Sequence, residues 1–171
     1  MSLLSTLFAR KDERAALRPL YAAAVARARA PHWYLEGGVA DTIDGRFDMI
    51  AAILCAILLR LEALAALGES VRLTELFIDD MDGQVRQIGF GDVVVGKQVG
   101  HMVGALGGRL TAYRAAFASE TPLEKALIRN LYRGAEPAAA DLAHVAGELR
   151  AFTQMLATRD LDSLLAARLE D

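Results

Sequence analysis

Apolar residues recur at helical spacing along almost the whole chain, and no segment alternates as a strand would. Leu17, Leu20, Tyr21, Ala24, Val25 and Ala28 share one face and predict a helix over 12–29, which Pro31 ends because the residue before a proline disfavours the α region. His32, Trp33 and Tyr34, followed by Gly37 and Gly38, suit a loop or short turn whose rings plug the core. Thr42 is placed to cap a second, long helix, with Asp41 and Asp44 near the positive end of its dipole. Its stretch Met49–Leu59 is apolar without interruption. At 1.5 Å per residue it spans roughly 16 Å, against roughly 30 Å of bilayer hydrocarbon, so it reads as a central core helix. Gly68 offers that helix a stop.

A third helix follows from Leu73, Leu76, Phe77, Met81, Val85 and Ile88, with Asp79, Asp82 and Arg86 on its other side and Gly89 and Gly91 interrupting it. Asp92 can cap a fourth, whose Val95, Val99, Met102, Leu106, Leu110 and Tyr113 make a long apolar face. Thr121-Pro122-Leu123-Glu124 combines an N-cap, a first-turn proline and a capping-box glutamate, starting a fifth helix that ends near Gly134. Pro137 opens a sixth through Val145, Leu149, Phe152 and Leu156, and Leu161, Leu164 and Leu165 carry a short seventh. The expected fold is all-α, a single irregular helical bundle of about six to seven helices over residues 12–171. Ahead of it, residues 1–11 form a segment in which Leu3, Leu4, Leu7 and Phe8 would share an apolar face able to touch a membrane surface or a partner; the rival reading packs it back on its own domain.

Composition narrows this further. With 171 residues, 54% of them apolar and 24% charged, the chain matches one ordered globular domain. A formal charge of −3 gives no general attraction for nucleic acid, so no nucleic-acid partner is expected. A lone cysteine, Cys55, in an apolar run permits no intrachain disulfide and suits a reducing, cytoplasmic compartment. The opening residues lack the basic region of a signal peptide.

The fourth helix carries an unusual pattern: Gly96, Gly100, Gly104, Gly108, Ala112 and Ala116 stand four residues apart, with Gly107 beside them. Each interior glycine costs about 0.8–1 kcal/mol relative to alanine, so the five together cost on the order of 4 kcal/mol that something must offset. Three readings are open: close packing against the second helix, a groove for a client helix, or a broken helix. Four residues advance a helix by about 400°, so the stripe drifts about 40° per step and winds through about 200° in all. Only Gly96–Gly108, about 120° of arc, can meet a single helix, at a crossing near −50°. The flanking Lys97 and Arg109 complete the candidate partner-binding set of Gly96, Lys97, Gly100, Gly104, Gly108 and Arg109.

Catalytic chemistry has little to stand on. Asp79, Asp80 and Asp82 loosely resemble the magnesium-binding aspartates of all-α isoprenoid synthases, with Asp41, Asp44 and Asp48 as a weak second set, but the spacing differs and those enzymes are longer. His32, His101 and His144 are far apart in sequence and make no metal-binding pair on one turn. There is no nucleophile elbow, Cys/His pair or phosphate-binding loop. No cofactor and no metal are expected.

Two stretches together resemble the ubiquinol–cytochrome c chaperone family: Gly38-Val-Ala-Asp-Thr-Ile-Asp-Gly-Arg-Phe-Asp48, and Leu76-Phe-Ile-Asp-Asp-Met-Asp82 continuing through Gly91-Asp92, Val95-Gly96-Lys97, Met102 and Gly108-Arg109 to Tyr113. With Leu20-Tyr21, Ala28-Arg29 and Tyr34 upstream and Asn130-Leu-Tyr-Arg-Gly134 downstream, the resemblance covers about Leu20 to Gly134. Ala40 stands in place of an expected proline and Gln87 in place of a glutamate. The resemblance implies a non-enzymatic assembly factor that engages newly made cytochrome b, or another reductase subunit, and promotes assembly of the ubiquinol–cytochrome c reductase. It implies work at the membrane surface, which for a bacterial-type member is the cytoplasmic face of the inner membrane, and allows for a second assembly factor as partner. The alternative is a small all-α magnesium-dependent enzyme acting on a diphosphate through the aspartates. The motif positions Asp41, Asp44, Arg46, Asp79, Asp82, Arg86 and Asp92, with Lys97 and Arg109, suggest a polar network that supports the fold or contacts the client.

Overall fold

The structure, a computed structural model, describes residues 13–87 and 92–169, with the side chains of all of these except 85–87, 92–96, 98 and 99. The described residues form helices and connecting turns with no strand: α1 (Arg18–Ala28), α2 (His32–Leu35), α3 (Ile43–Ala63), α4 (Leu67–Gln87), α5 (Asp92–Phe117), α6 (Leu123–Asn130), α7 (Ala139–Thr158) and α8 (Leu161–Leu165). The all-α bundle is therefore as expected. Residues 1–11, with Leu3, Leu4, Leu7 and Phe8, and the interrupting Gly89 and Gly91 lie outside the described residues.

The uninterrupted apolar run sits at the centre. Every side chain from Phe47 to Leu58 is buried, and α1, α4, α5 and α7 all pack on α3. Among the described residues no helix is long and apolar enough to cross a membrane. Thr42 caps α3 as its sequence position suggests, its side chain accepting from the Gly45 N–H at 3.1 Å. Gly45 is obligatory here: a Cβ would lie 1.9 Å from the Ala40 carbonyl oxygen, so only glycine lets the preceding loop fold over the first turn.

Several boundaries differ from the sequence expectation. α3 stops at Ala63 and not at Gly68, because Ala65 adopts the left-handed conformation (φ 57°) that closes the helix; Gly68 belongs to the first turn of α4. The expected helix over 12–29 is interrupted: residues 13–15 are helical, 16–17 turn, and α1 proper begins at Arg18, with Pro19, which has no N–H to offer a preceding turn, in its first turn; Asp12 lies outside the described residues. Thr121 does not cap α6. Pro122 is extended (ψ 130°) and occupies the cap position itself without a side-chain bond, and Glu124 reaches Arg150 of α7 at 2.7 Å. Of the loop and short-turn readings, the turn holds, as one helical turn over His32–Leu35, and the plugging role falls on fully buried Trp33. The Tyr34 hydroxyl donates to the Ala28 carbonyl at 2.9 Å, satisfying one that the end of α1 leaves open, and Trp33 Nε1 donates at 2.7 Å to the Arg27 carbonyl, which also accepts from the Ala30 N–H.

Candidate functional site

Helix α5 runs unbroken from Asp92 to Phe117, which removes the broken-helix reading of the glycine stripe. Its bulky residues face the bundle: Leu106, Tyr113 and Ala116 are buried, with Met102, Leu110 and Phe117 packed beside them. The glycines lie on the other side. Gly100, Gly104, Gly107 and Gly108 are exposed, and a Cβ added at any of them would meet nothing within 4 Å. Close packing of these glycines against α3, the expected internal explanation, is thus overturned. The drift of the stripe accounts for its far end, since Ala116 stands about 160° round from Gly100 and reaches the core. Lys97 and His101 are exposed near its start; the surroundings of Gly96 are outside the described residues.

One flank of this face opens into an apolar groove between α3, α4 and α5. The groove, about 320 Å³, is lined by Leu58, Val71, Thr74, Ile78 and Leu110, with Glu62 and Glu75 at its rim. Leu110 is about 60° round α5 from Gly107, so the small-residue face and the groove adjoin. Val71 and neighbouring Leu67 are exposed, at 57% and 65%.

Arg109, placed by sequence among the partner contacts, turns inward. Its Nη2 donates to Asp48 Oδ1 at 2.5 Å, and Arg133 Nε donates to Asp48 Oδ2 at 2.5 Å. Arg133 also reaches Asp44 at 2.8 Å. Asp48 is completely buried on the first turns of α3, and burial pushes its carboxyl above the usual aspartate range, against the pull of Arg133 and Arg109. The network joins α3, α5 and the turn after α6, and the Tyr132 hydroxyl adds a 2.6 Å bond to the Gly37 carbonyl. The Nε of Arg109 and the hydroxyl of Tyr113 are buried beside it without a hydrogen-bond partner among the described residues.

The remaining motif positions do not gather here. Asp41 and Arg46 pair with each other at 2.7 Å on the surface before and within the start of α3, and their hydrogen bond holds the Asp41 carboxyl below its ordinary range. Asp79 pairs with Arg14, and Asp80 accepts from the Tyr21 hydroxyl at 2.7 Å. Asp82 lies half-buried on α4; the side chains of Arg86 and Asp92 are outside the described residues. The sequence reading therefore missed Asp48 and Arg133 as the centre of the network. The available signal was a charge abutting a fully apolar helix, which needs a partner. Among the described residues no three His, Cys, Asp or Glu side chains are arranged to hold a metal ion, and five of the six aspartates of the diphosphate reading, Asp41, Asp44, Asp48, Asp79 and Asp80, are engaged by Arg14, Tyr21, Arg46, Arg109 and Arg133.

Comparison with known proteins favours one of the two functional classes. The profile of the ubiquinol-cytochrome C chaperone family matches residues 35–170. The chain belongs to the ubiquinol–cytochrome c chaperone family. The crystal structure of the Cbp3 homolog from Brucella abortus superposes with a TM-score of 0.77 at 26% sequence identity, spanning 96% of this chain and 94% of that one. No curated protein sequence matches it. The family match extends past the motifs legible by eye to take in α7 and α8, and a chaperone, not an enzyme acting on a diphosphate, is the class it supports.

Proposed function

We propose that this protein is an assembly chaperone that binds newly made cytochrome b at the cytoplasmic face of the inner membrane and holds it for insertion into the ubiquinol–cytochrome c reductase. The observation that carries this reading is the open glycine face of α5. Interior glycines destabilise a helix, and no described residue packs against these to offset the loss. A face without side chains lets a second helix approach backbone to backbone, which is how small residues serve membrane helices, and a cytochrome b segment is such a helix. The adjoining groove at Leu58, Val71, Ile78 and Leu110 would take apolar side chains from the same client. Lys97 supplies a positive charge beside the face; Arg109 acts from behind, by tying α5 to α3.

In a strain lacking the gene, complementation with Gly100→Leu or Gly104→Leu tests the reading, with assembled reductase and the cytochrome b absorbance as readouts. Each leucine projects into open space, so circular dichroism of the purified variants is expected to match the parent while reductase assembly falls. Normal reductase and cytochrome b levels in the deletion strain would sink the chaperone role, and full rescue by both leucine variants would sink the α5 site.

A further inference from the structure

On the opposite side of α4 from the client groove lies a trough of about 720 Å³ between α1 and α4, larger than that groove. Residues Leu76, Asp79 and Asp80 of α4 face it, while Val71, Thr74 and Ile78 face the client groove, about 165° away round the helix. Its α1 wall runs Arg18, Tyr21, Ala22, Val25, Ala26, Arg29, with the two arginines on one strip of helix surface, since eleven residues make just over three turns. Between the two arginines, about 16 Å apart along the axis, lie the short apolar side chains of Ala22, Val25 and Ala26 and the ring of Tyr21, whose hydroxyl is turned to Asp80.

The charges in the trough are unequal in state. Asp79 is paired with Arg14 and Asp80 is bound by the Tyr21 hydroxyl, whereas Arg18 and Arg29 are exposed and make no ion pair or side-chain hydrogen bond with any described residue. The unmet demand is therefore for negative charge at the two ends of an apolar strip. A second strip of helix with the same eleven-residue spacing meets it: carboxylates three turns apart, apolar residues between them. A lipid surface fits less well, because the site is a concave trough and not a flat or convex face, and a nucleic-acid backbone offers no apolar strip to lie between the arginines.

We infer that the α1–α4 trough docks an amphipathic helix of a partner protein bearing two acidic residues about three turns apart, which Arg18 and Arg29 hold at either end. This surface is separate from the α5 face, so the protein can hold a client and this partner together.

The test uses the full chain and a fluorescently labelled four-turn alanine–leucine peptide with glutamates eleven positions apart, measured by anisotropy. A matched lysine peptide, phosphatidylglycerol-containing vesicles and a single-stranded RNA serve as comparators. The glutamate peptide is expected to bind and the lysine peptide not to. Arg18→Glu/Arg29→Glu, at two exposed positions, is expected to keep its circular dichroism spectrum, weaken the glutamate peptide about tenfold or more, and gain binding of the lysine peptide. The inference is overturned if the glutamate peptide fails to bind up to about 1 mM. Equal binding of both peptides, an unchanged affinity in the double variant, or arginine-dependent binding to vesicles or RNA in place of the peptide would overturn it as well.

Discussion

Replacing Gly100, Gly104 and Gly108 together by alanine separates stability from function. All three lie inside α5, all are exposed, and each added methyl would meet nothing within 4 Å. Each change then removes the backbone freedom of glycine from the unfolded chain without a steric penalty in the folded one, a gain of about 0.8–1 kcal/mol per site. With no packing partner in common, the three sum to about 2.4–3 kcal/mol, although they stand one turn apart. In a chain of this size 1 kcal/mol moves the midpoint by about 2–4 °C, so the triple variant is expected to melt about 5–12 °C higher by circular dichroism. Urea unfolding is expected to shift its midpoint with an unchanged slope. The same three methyls stand between α5 and a closely approaching helix, so capture of cytochrome b is expected to fall as stability rises. A lowered or unmoved melting point would refute the reasoning, because it would mean that the glycines are packed or that α5 is not helical there.

Other consequences follow from the core and its edges. Asp48→Ala strands the guanidinium of nearly buried Arg109 and is expected to cost about 3–5 kcal/mol in chemical unfolding, whereas Arg133→Ala, which removes a half-exposed partner and leaves the Asp48–Arg109 pair, costs about 1–2 kcal/mol. Ala65→Gly relieves a left-handed alanine at the end of α3 and is expected to stabilise the protein by about 1 kcal/mol, read as a higher melting temperature. His32 Nδ1 lies 2.9 Å from His144 Nε2, and burial, with His144 and Arg27 nearby, holds the His32 imidazole below its usual range despite Glu148 and Glu36. The unfolded chain therefore binds the proton more readily. Stability is complete above about pH 6.5 and declines as the pH falls below it, and His32→Gln is expected to flatten that acid limb in pH-dependent unfolding.

The helices were legible because their signals are local. The unbroken run Met49–Leu59 announces a helix buried on every side, and the Thr42 cap marks its start within a residue. The family was legible too, since its motifs lie close together in sequence at the start of α3 and along α4 and α5. What escaped are features set by distance along the chain or by backbone geometry. Asp48 finds partners 61 and 85 residues away, and spacing does not reveal which arginines turn inward; Arg109 does and Arg114 instead pairs with Glu62 at the surface. Glycine is the favoured residue at a left-handed stop, so Gly68 drew the boundary that Ala65 in fact provides. The outward aim of the glycine face was in principle readable. Leu106 lies about 200° from both Gly104 and Gly108, and a helix buries its bulky side first.

Site-specific photocrosslinking during reductase biogenesis tests the central claim most directly. A photoreactive residue at position 101, exposed beside the open glycine face of α5 and leaving its glycines intact, is compared with one at position 157, an exposed site on α7. The account requires a crosslink to cytochrome b from 101 and none from 157. Equal crosslinking from both positions, or none from 101 in cells that assemble the reductase, would contradict it.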